Sequence, residues 1–478
     1  MDKNYDIIVL GTGIKEYILL SLLFKYPKIL KQTIKPENLK VCQINKSKIR
    51  GESCPSLNIS QLFKKFERNF PKEKYGDDKD WNIDLIPKIM LRNSPIIKLF
   101  LITDIYNYIE WKTIEQVYVY QYDKGGMFSS PKGVIYKVPQ NPDETWSSDI
   151  LGIFEKNRCK KFYNYISNII FGENDSFKNT ENIDINNISF KELGNNKFSL
   201  EDNTLDFIGH AVALYDHDNF LKNKSIDTIK RIKFYMDNLV INNDKNKPPQ
   251  YYSTPFIYPI WGFQKIYKNY EREMFLYDYN YLQETDVDEI IYDEKNQFKG
   301  IKTIKGEKIY GKILLSSPEY MIKFNKLEKK NKIIRRIIIS QNSIPCPNLE
   351  DSCQLIIPKM QTGQKNDIFV LQLSYGHCVS RKGYYVIFIS CWDDGREINQ
   401  QLKPVMDVFG FNKDMIEIFD MNYDYYEPIN KNFDDNIFIS NSFLPQSHFE
   451  DDYDDITDIF QKITEATLKF DKLKNNSY

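Results

Sequence analysis

The first part of the chain alternates between apolar runs of strand length and a helical pattern. Residues 5–10 are apolar and rich in β-branched side chains, which predicts a buried strand. The turn Gly11-Thr12-Gly13 leads into residues 14–24, where isoleucine and leucine recur at helical spacing. A second strand is predicted over residues 39–44. This order of strand, glycine turn, helix and strand predicts a βαβ unit of the dinucleotide-binding kind.

The pattern then changes twice. Residues 84–111 predict a helix, and residues 117–138 predict a β-hairpin with a long tip. An all-helical region over about residues 145–240 follows, and a polar, proline-containing linker at 242–255 closes it. Short strands and a final amphipathic helix are predicted after the linker, with strands at 289–292, 298–304, 309–315, 333–340, 367–373 and 383–390 and the helix at 452–470. The predicted fold class is α/β (α+β), with mixed sheets and an inserted all-helical smaller domain.

Composition and charge are those of an ordinary globular protein. The 478 residues are 41% apolar and 27% charged, which is enough for a sizeable core. A net charge of −1 gives no global basic field and argues against generic nucleic-acid binding. The 7 cysteines form no CxxC pair, and neither a signal peptide nor a run of about 18 apolar residues is recognised. We therefore expect a cytoplasmic protein.

The glycine motif departs from the dinucleotide fingerprint at two places. G-x-G-x-x-G here reads Gly11-Thr12-Gly13-Ile14-Lys15-Glu16, so a carboxylate replaces the third glycine beside the place of a bound pyrophosphate. The second strand ends at Ile44-Asn45, without an acid for a ribose hydroxyl. We predict that the fold is kept, that FAD does not bind and that side chains fill the pocket at the glycine turn.

Other chemistry is not indicated. None of the 4 histidines has a cysteine or histidine at metal-ligand spacing, and His210, four residues before Leu214, is interpreted as a packed or capping residue. The acidic run at 450–458 is interpreted as a solvated face that starts the last helix. Motifs for a serine nucleophile or a phosphate-binding loop do not occur. We expect neither a metal nor a catalytic centre.

Long blocks of the sequence resemble the Rab GDP dissociation inhibitors, of the superfamily that also includes the Rab escort proteins. The opening YDIIVLGTGIKEYIL has the same truncated glycine motif followed by glutamate. Further blocks occur in the same order, namely DKDWNIDLIPKIMLRNSPIIKLFLITDIYNYIEWK (78–112), GVIYKVP (133–139), LGIFEKNRCKKF (151–162), FIGHAVALY (207–215), IKRIKFYMDNL (229–239), PFIYPIWGF (255–263), SCQLIIPKMQTGQKNDIFVLQLSYGHCVS (352–380) and SHFEDDYDDITDIF (447–460). Together they span nearly the whole chain.

The resemblance implies a two-domain, non-enzymatic protein without a cofactor. A larger, discontinuous domain (residues 1–137 and 231–478), similar in fold to FAD-dependent oxidases, would bind the GTPase domain of GDP-bound Rabs. A helical domain (residues 138–230) would hold the geranylgeranyl lipid. Such a protein blocks GDP release, extracts Rabs from membranes by transient contact and recycles them through the cytosol in vesicular transport. One-to-one complexes in the family imply a monomer.

The resemblance also implies site residues. Carried over by block, the Rab-binding residues are Glu52, Lys79, Arg272, Asn280, Tyr281 and Leu282. Four residues depart from the family pattern on this surface, because Ile49 replaces a tyrosine, Arg50 a glycine, Asp77 an arginine and Lys265 a glutamate. Two of these are charge reversals, which would redirect the choice of partner or weaken binding.

The lipid requires an apolar slot, because each methylene left in water costs about 0.8 kcal/mol. The helical insert is the best place for it, and small residues among large ones there would leave room between helices. The candidate prenyl-binding residues are Phe154, Phe162, Ile166, Phe207, Ala211 and Leu214.

Two alternative functions stay open at this point. One is a Rab escort protein that presents Rabs to a geranylgeranyltransferase, although escort proteins are generally longer. The other is a flavin-dependent oxidase, against which Glu16 and the missing ribose acid argue.

Overall fold

The computed structural model describes most of the chain. The residues that it describes are 3–25, 28–29, 32–33, 39–51, 54–123, 132–172, 176–178, 181, 183–241, 250–349, 351–412 and 415–468. Within these ranges, no helix is both long enough and apolar enough to span a bilayer.

Strands form two large sheets and several small ones. In chain order they are β1 (Lys3–Leu10), β2 (Lys28–Ile29), β3 (Gln32–Thr33), β4 (Val41–Asn45), β5 (Ser56–Leu57), β6 (Ile83–Asp84), β7 (Met90–Leu91), β8 (Trp111–Thr113), β9 (Gln116–Asp123), β10 (Lys132–Lys137), β11 (Ile170–Phe171), β12 (Phe177–Lys178), β13 (Phe256–Pro259), β14 (Tyr279–Gln283), β15 (Val287–Tyr292), β16 (Phe298–Thr303), β17 (Lys308–Ser316), β18 (Leu327–Ser340), β19 (Cys353–Ile357), β20 (Ile368–Ser374), β21 (Tyr385–Trp392), β22 (Ile416–Pro428) and β23 (Ile437–Ile439).

The first sheet has the order β14-β4-β1-β17-β16-β15. Strands β14, β4, β1 and β17 run parallel, with Ile7 opposite both Val41 and Ile313, and β23 adds a further parallel pairing to the end of β17. Strands β15 and β16 form an antiparallel edge. The predicted βαβ unit is therefore confirmed as β1, the following helix and β4, at the centre of a mixed sheet.

The second sheet has the order β10-β9-β19-β20-β21-β18-β22. Its pairs are antiparallel, apart from the parallel contact between β9 and β19. Apolar cores cover both faces of this sheet, one shared with the N-terminal helix and one formed on the other side. The strands of the hairpin predicted over residues 117–138 are confirmed as β9 and β10, while its predicted tip at 124–131 lies outside the described residues.

Helices cover the sheets and form a separate layer in the middle of the chain. The α-helices are α1 (Ile14–Lys25), α2 (Ile59–Lys65), α3 (Lys72–Tyr75), α4 (Pro95–Ile102), α5 (Ile153–Ser167), α6 (Phe190–Glu192), α7 (Asp202–Phe207), α8 (Ser225–Asp237), α9 (Phe263–Met274), α10 (Pro318–Met321), α11 (Lys359–Thr362), α12 (Ile398–Gln401), α13 (Lys403–Phe409) and α14 (Tyr453–Thr464). Shorter turns are 3₁₀ at Asp78–Asp80, Tyr106–Tyr108, Asp218–Leu221, Ile322–Phe324, Tyr375–His377 and Glu450–Asp452, and π at Leu193–Lys197 and Ile208–Val212.

The middle of the chain is helical, as predicted, with one small hairpin of β11 and β12. The prediction of one long helix over 84–111 was wrong. Only α4 is an α-helix there, and it begins where Ser94 accepts a hydrogen bond from the backbone N–H of Ile97 and Pro95 follows as the first helical residue. Pro95 excludes a continuous helix through this point, because it lacks an N–H and clashes with the preceding turn.

Candidate functional site

The glycine turn positions the start of α1 against the ends of β1 and β4. Gly11 has φ +112°, which a larger residue rarely adopts, and α1 begins three residues later at Ile14. Thr12 ties the turn to its surroundings, since its Oγ1 accepts hydrogen bonds from Gly51 N at 3.2 Å and Asn45 Nδ2 at 3.4 Å. Gln43 Nε2 donates to Gly11 O at 2.5 Å. Side chains of the β4 end thus occupy the mouth of the turn.

Glu16 closes the same space from the helix side. Its side chain is buried, Oε1 accepts a hydrogen bond from Ser440 Oγ at 2.6 Å, and Oε2 stands where a Cβ on Gly13 would clash. Burial raises the pKa of Glu16 to about 7 against the lowering effect of Ser440. The prediction that side chains fill this pocket is confirmed, and the residues present do not fit a dinucleotide pyrophosphate at the helix N-terminus.

An ion network missed by the sequence analysis lies one residue earlier. Lys15 is 2% exposed, and its Nζ lies 2.7 Å from Asp452 Oδ1 and 3.0 Å from Asp455 Oδ2. It also donates to Asn441 O at 3.0 Å. Burial lowers the pKa of Lys15, but the two carboxylates outweigh burial and the net shift is upward. The interpretation of the acidic run as a solvated face was therefore wrong for Asp452 and Asp455, which fix α14 to α1.

The candidate Rab-binding residues of β14 lie at the edge of the first sheet. Asn280 Nδ2 donates to Tyr5 OH at 2.8 Å, and Tyr281 OH accepts a hydrogen bond from Asn45 Nδ2 at 3.2 Å. Leu282 is half-buried and packs against the sheet core. Within the part of the chain that the structure describes, β14 pairs with β4 and is an edge strand of the first sheet.

Arg50 joins this edge to α9. Its guanidinium forms an ion pair with Glu271 and lies 5.9 Å from the centre of the Tyr281 ring. Tyr281 in turn stacks on Tyr279 with ring centres 6.4 Å apart. The departure at position 50 therefore places a cation in contact with a candidate binding residue. No local pattern in the sequence indicates this contact, because Glu271 is 221 positions away.

The remaining candidate Rab-binding residues are placed as follows. Arg272 is exposed on α9 and lines a hollow of about 580 Å³ with Asp104, Tyr108 and Leu276. Lys79 is exposed on the 3₁₀ turn 78–80, which is tied to α2 because Ser60 Oγ donates to Asp78 at 2.6 Å. Glu52 lies outside the described residues. The structure brings Tyr281 and Glu271 together through Arg50 and leaves Arg272 and Lys79 open to solvent.

The two charge reversals form exposed ion pairs. Asp77 lies 3.6 Å from Lys72, and Lys265 lies 3.8 Å from Glu110. Such pairs contribute little to stability, typically less than about 1 kcal/mol. The new charges therefore remain available to a partner.

The candidate prenyl-binding residues divide into five interior positions and one exposed position. Phe162, Ile166, Phe207, Ala211 and Leu214 are buried, whereas Phe154 is 81% exposed. The small residue Gly209 leaves no open space, since a Cβ there would clash with the Phe220 ring. In this structure the five interior residues pack the core, so that a lipid among them would require these helices to separate.

His210, in the same helical region, is surrounded by three carboxylates. Its Nε2 is 3.1 Å from Asp218 and 3.5 Å from Asp206, while its Nδ1 is 2.8 Å from Tyr215 O and 3.3 Å from Asp367. Burial lowers the pKa of His210, but the bond to Asp218 and the attraction of Asp367 and Asp206 raise it to about 9. His210 is packed, as predicted, and its contact with Asp367 joins the helical segment to the residue that precedes β20.

The spacing of Asp206, His210 and Asp218 also allows a metal ion, since one ligand atom of each lies within 4.8 Å of the others. Other side chains of the protein already pair with these carboxylates. Lys359 Nζ lies 3.0 Å from Asp218, and Gln361 Nε2 donates to Asp206 at 2.9 Å. With His210 protonated, both ring nitrogens are donors, so the cluster is an ion network.

Replacing His210 with glutamine is expected to destabilise the protein most below pH about 6.5 and progressively less as the pH rises through about 9. The folded pKa lies above the unfolded value, so the folded state holds the extra proton within this window. A rise of this size corresponds to roughly 3 kcal/mol. The free energy of unfolding of both proteins at pH 6, 7.5 and 9.5 measures the effect, and a difference that does not change with pH would contradict it.

Comparisons with known proteins agree with this geometry. The family model described as GDP dissociation inhibitor matches residues 1–475. A Rab GDP-dissociation inhibitor of Saccharomyces cerevisiae is 33% identical over 470 residues, covering 97% of this chain and 96% of that protein. The crystal structure of a Rab GDI from Plasmodium falciparum has a TM-score of 0.86 and 32% identity, covering 98% of this chain and 100% of the other.

A more distant structure shares the fold alone. An oxidoreductase from Methanosarcina mazei has a TM-score of 0.54 at 10% identity, covering 95% of this chain and 99% of the other. The predicted fold class, mixed sheets with an oxidase-like arrangement, is confirmed. The predicted resemblance is confirmed as well, because the match extends over almost the whole length, and the chain belongs to the GDP dissociation inhibitor family.

Proposed function

We propose that this protein binds GDP-bound, prenylated Rab GTPases, slows their loss of GDP, extracts them from membranes and carries them through the cytosol as a monomer. The observation that carries the proposal is the full-length match to Rab GDP dissociation inhibitors. It would act by binding, without a chemical step.

The filled glycine turn supports a binding protein over a flavin enzyme. Glu16, Gln43 and Asn45 take the space and the hydrogen bonds that a dinucleotide would need. This part of the oxidase-like fold then serves as a frame that presents α9 and β14. The side chains at the glycine turn, and those on α9 and β14, are held by other protein groups and need no cofactor to keep their positions.

The Rab surface is proposed to be built on the 3₁₀ turn 78–80, α9 and β14. Arg272 and Lys79 offer exposed cations, and Leu282 offers apolar contact on an edge strand. Arginine is a frequent anchor of protein interfaces, because its planar fork donates several hydrogen bonds in fixed directions. The ion pair between Arg50 and Glu271 fixes the part of this surface that lies between α9 and β14.

The lipid is proposed to bind in the helical domain, residues 138–230, and the GTPase domain to bind residues 1–137 and 231–478. Helix α8 (Ser225–Asp237) continues through position 230, so it would link the two parts rigidly. The core around Phe162 is closely packed, and the isoprenoid is expected to enter as the helices move apart.

Membrane extraction tests the proposal. Purified protein is added to membranes loaded with geranylgeranylated Rab in the GDP or the GTP state, and the membranes are then sedimented. Release of Rab into the supernatant is expected from the GDP state and not from the GTP state. No release from either state across several Rabs would overturn the proposal.

A further inference from the structure

A hollow at the start of α5 exposes large apolar side chains, of which only Phe154 has been considered so far, as a candidate prenyl-binding residue. Trp146 is 52% exposed, Ile153 79% and Phe154 81%, and all three line one hollow of about 740 Å³. Its floor includes Phe198, which packs on the Phe162 ring with centres 5.2 Å apart. Contiguous exposed apolar side chains mark interaction sites, since their exposure to water is unfavourable.

Positive charge surrounds these apolar residues. Among the described residues that line the hollow, Arg158, Lys161 and Lys197 are cations and Glu181 is the one acid. Lys156 adds a cation at the rim, where its Nζ donates to Trp146 O at 3.0 Å. Arg158 is partly engaged by the buried Glu155, at 3.4 Å, whereas Lys161 and Lys197 are exposed.

Helix α5 separates the two kinds of surface. Cys159, Phe162 and Ile166 face the core and are fully buried, while the opposite side presents Ile153 and Phe154. Tryptophan and other apolar side chains beside lysine and arginine are typical of surfaces that insert shallowly into a bilayer interface. The aromatic ring then lies at the level of the headgroups, and the cations contact anionic lipids.

We propose that this face, defined by Trp146, Ile153, Phe154, Arg158, Lys161 and Lys197, docks the protein on an anionic membrane surface. The charge complementarity favours anionic lipid over a neutral apolar partner. The docking rests on the proposed function only for its purpose, which is to bring the carrier to membrane-bound Rab. The contact itself needs no Rab.

Vesicle sedimentation without Rab tests the docking. The full-length protein is expected to bind vesicles of phosphatidylcholine with added phosphatidylserine at low salt, and to bind pure phosphatidylcholine vesicles or high-salt samples weakly. The double variants Ile153→Ser/Phe154→Ser and Lys161→Glu/Lys197→Glu are each expected to reduce binding by about tenfold. The matched control Ile304→Ser/Lys305→Glu, exposed in the turn between β16 and β17, is expected to bind like the wild type.

The outcomes separate this inference from the proposed function. The docking surface would be overturned if phosphatidylserine did not increase vesicle binding by the wild type, or if the double variants bound vesicles as well as the wild type does. This holds even if Rab extraction succeeds. Vesicle binding that depends on these side chains would support the surface even if no Rab is extracted. The expected result is that both double variants bind vesicles about tenfold more weakly, while their circular dichroism matches that of the wild type.

Discussion

Replacing Lys15 with methionine is expected to lower the free energy of unfolding by about 3–5 kcal/mol. The ammonium is 2% exposed and balances Asp452, also 2% exposed, and Asp455. Without it these carboxylates stay buried with much of their charge uncompensated, and the cost of removing one partner of a buried pair exceeds the worth of the pair itself. Urea denaturation of wild type and variant measures the loss.

Two further variants make this test specific. Lys403→Met, on α13, removes an exposed pair with Asp407 and is expected to cost less than about 1 kcal/mol. The double variant Lys15→Met/Asp455→Asn is expected to recover part of the stability, because Asp452 keeps the buried Lys88, 3.7 Å away, as a partner and Asp455 no longer carries a charge. A Lys15→Met protein that loses less than about 1 kcal/mol would show that the network does not hold α14 against α1.

The sequence predicts elements well where the pattern is local. The strands β15, β16, β17, β20 and β21 lie close to their predicted ranges, because their β-branched and apolar runs are short and bounded by turn residues. The long strand β22 escaped prediction. Its sequence IEIFDMNYDYYEP mixes acids and tyrosines on a half-buried surface, and only pairing along β18 makes it a strand.

The candidate site was predictable in part. Glu16 could be placed at the glycine turn because the helix begins there, and from that position it was predicted to oppose a bound pyrophosphate. Lys15 could not, since its partner Asp455 is 440 positions further along the chain. The same limit applies to Phe162 and Ile166, because an apolar helix face has the same pattern whether it packs a core or lines a slot for lipid.

Replacing Arg272 with glutamate is expected to weaken the binding of prenylated, GDP-bound Rab by about 30- to 100-fold. Arg272 is exposed on α9 and lines a hollow together with Asp104 and Glu273, so reversing its charge places a third anion there at the proposed interface. Truncating a central interface arginine commonly costs about 2 kcal/mol, and like-charge juxtaposition adds to that cost. Titration of a fluorescent Rab·GDP with each protein gives the dissociation constants.

A matched charge reversal separates the site from the overall charge. Lys305→Glu changes the net charge equally but lies in the turn between β16 and β17, toward the sheet edge opposite to β14. Its affinity for Rab is expected to stay within about threefold of the wild type, since exposed charges farther apart than about 10 Å are largely screened. Both variants are expected to unfold at the wild-type urea concentration, because both side chains are exposed. Equal affinities for the two variants would place the Rab surface away from α9, while a selective loss with Arg272→Glu would assign this helix to the interface.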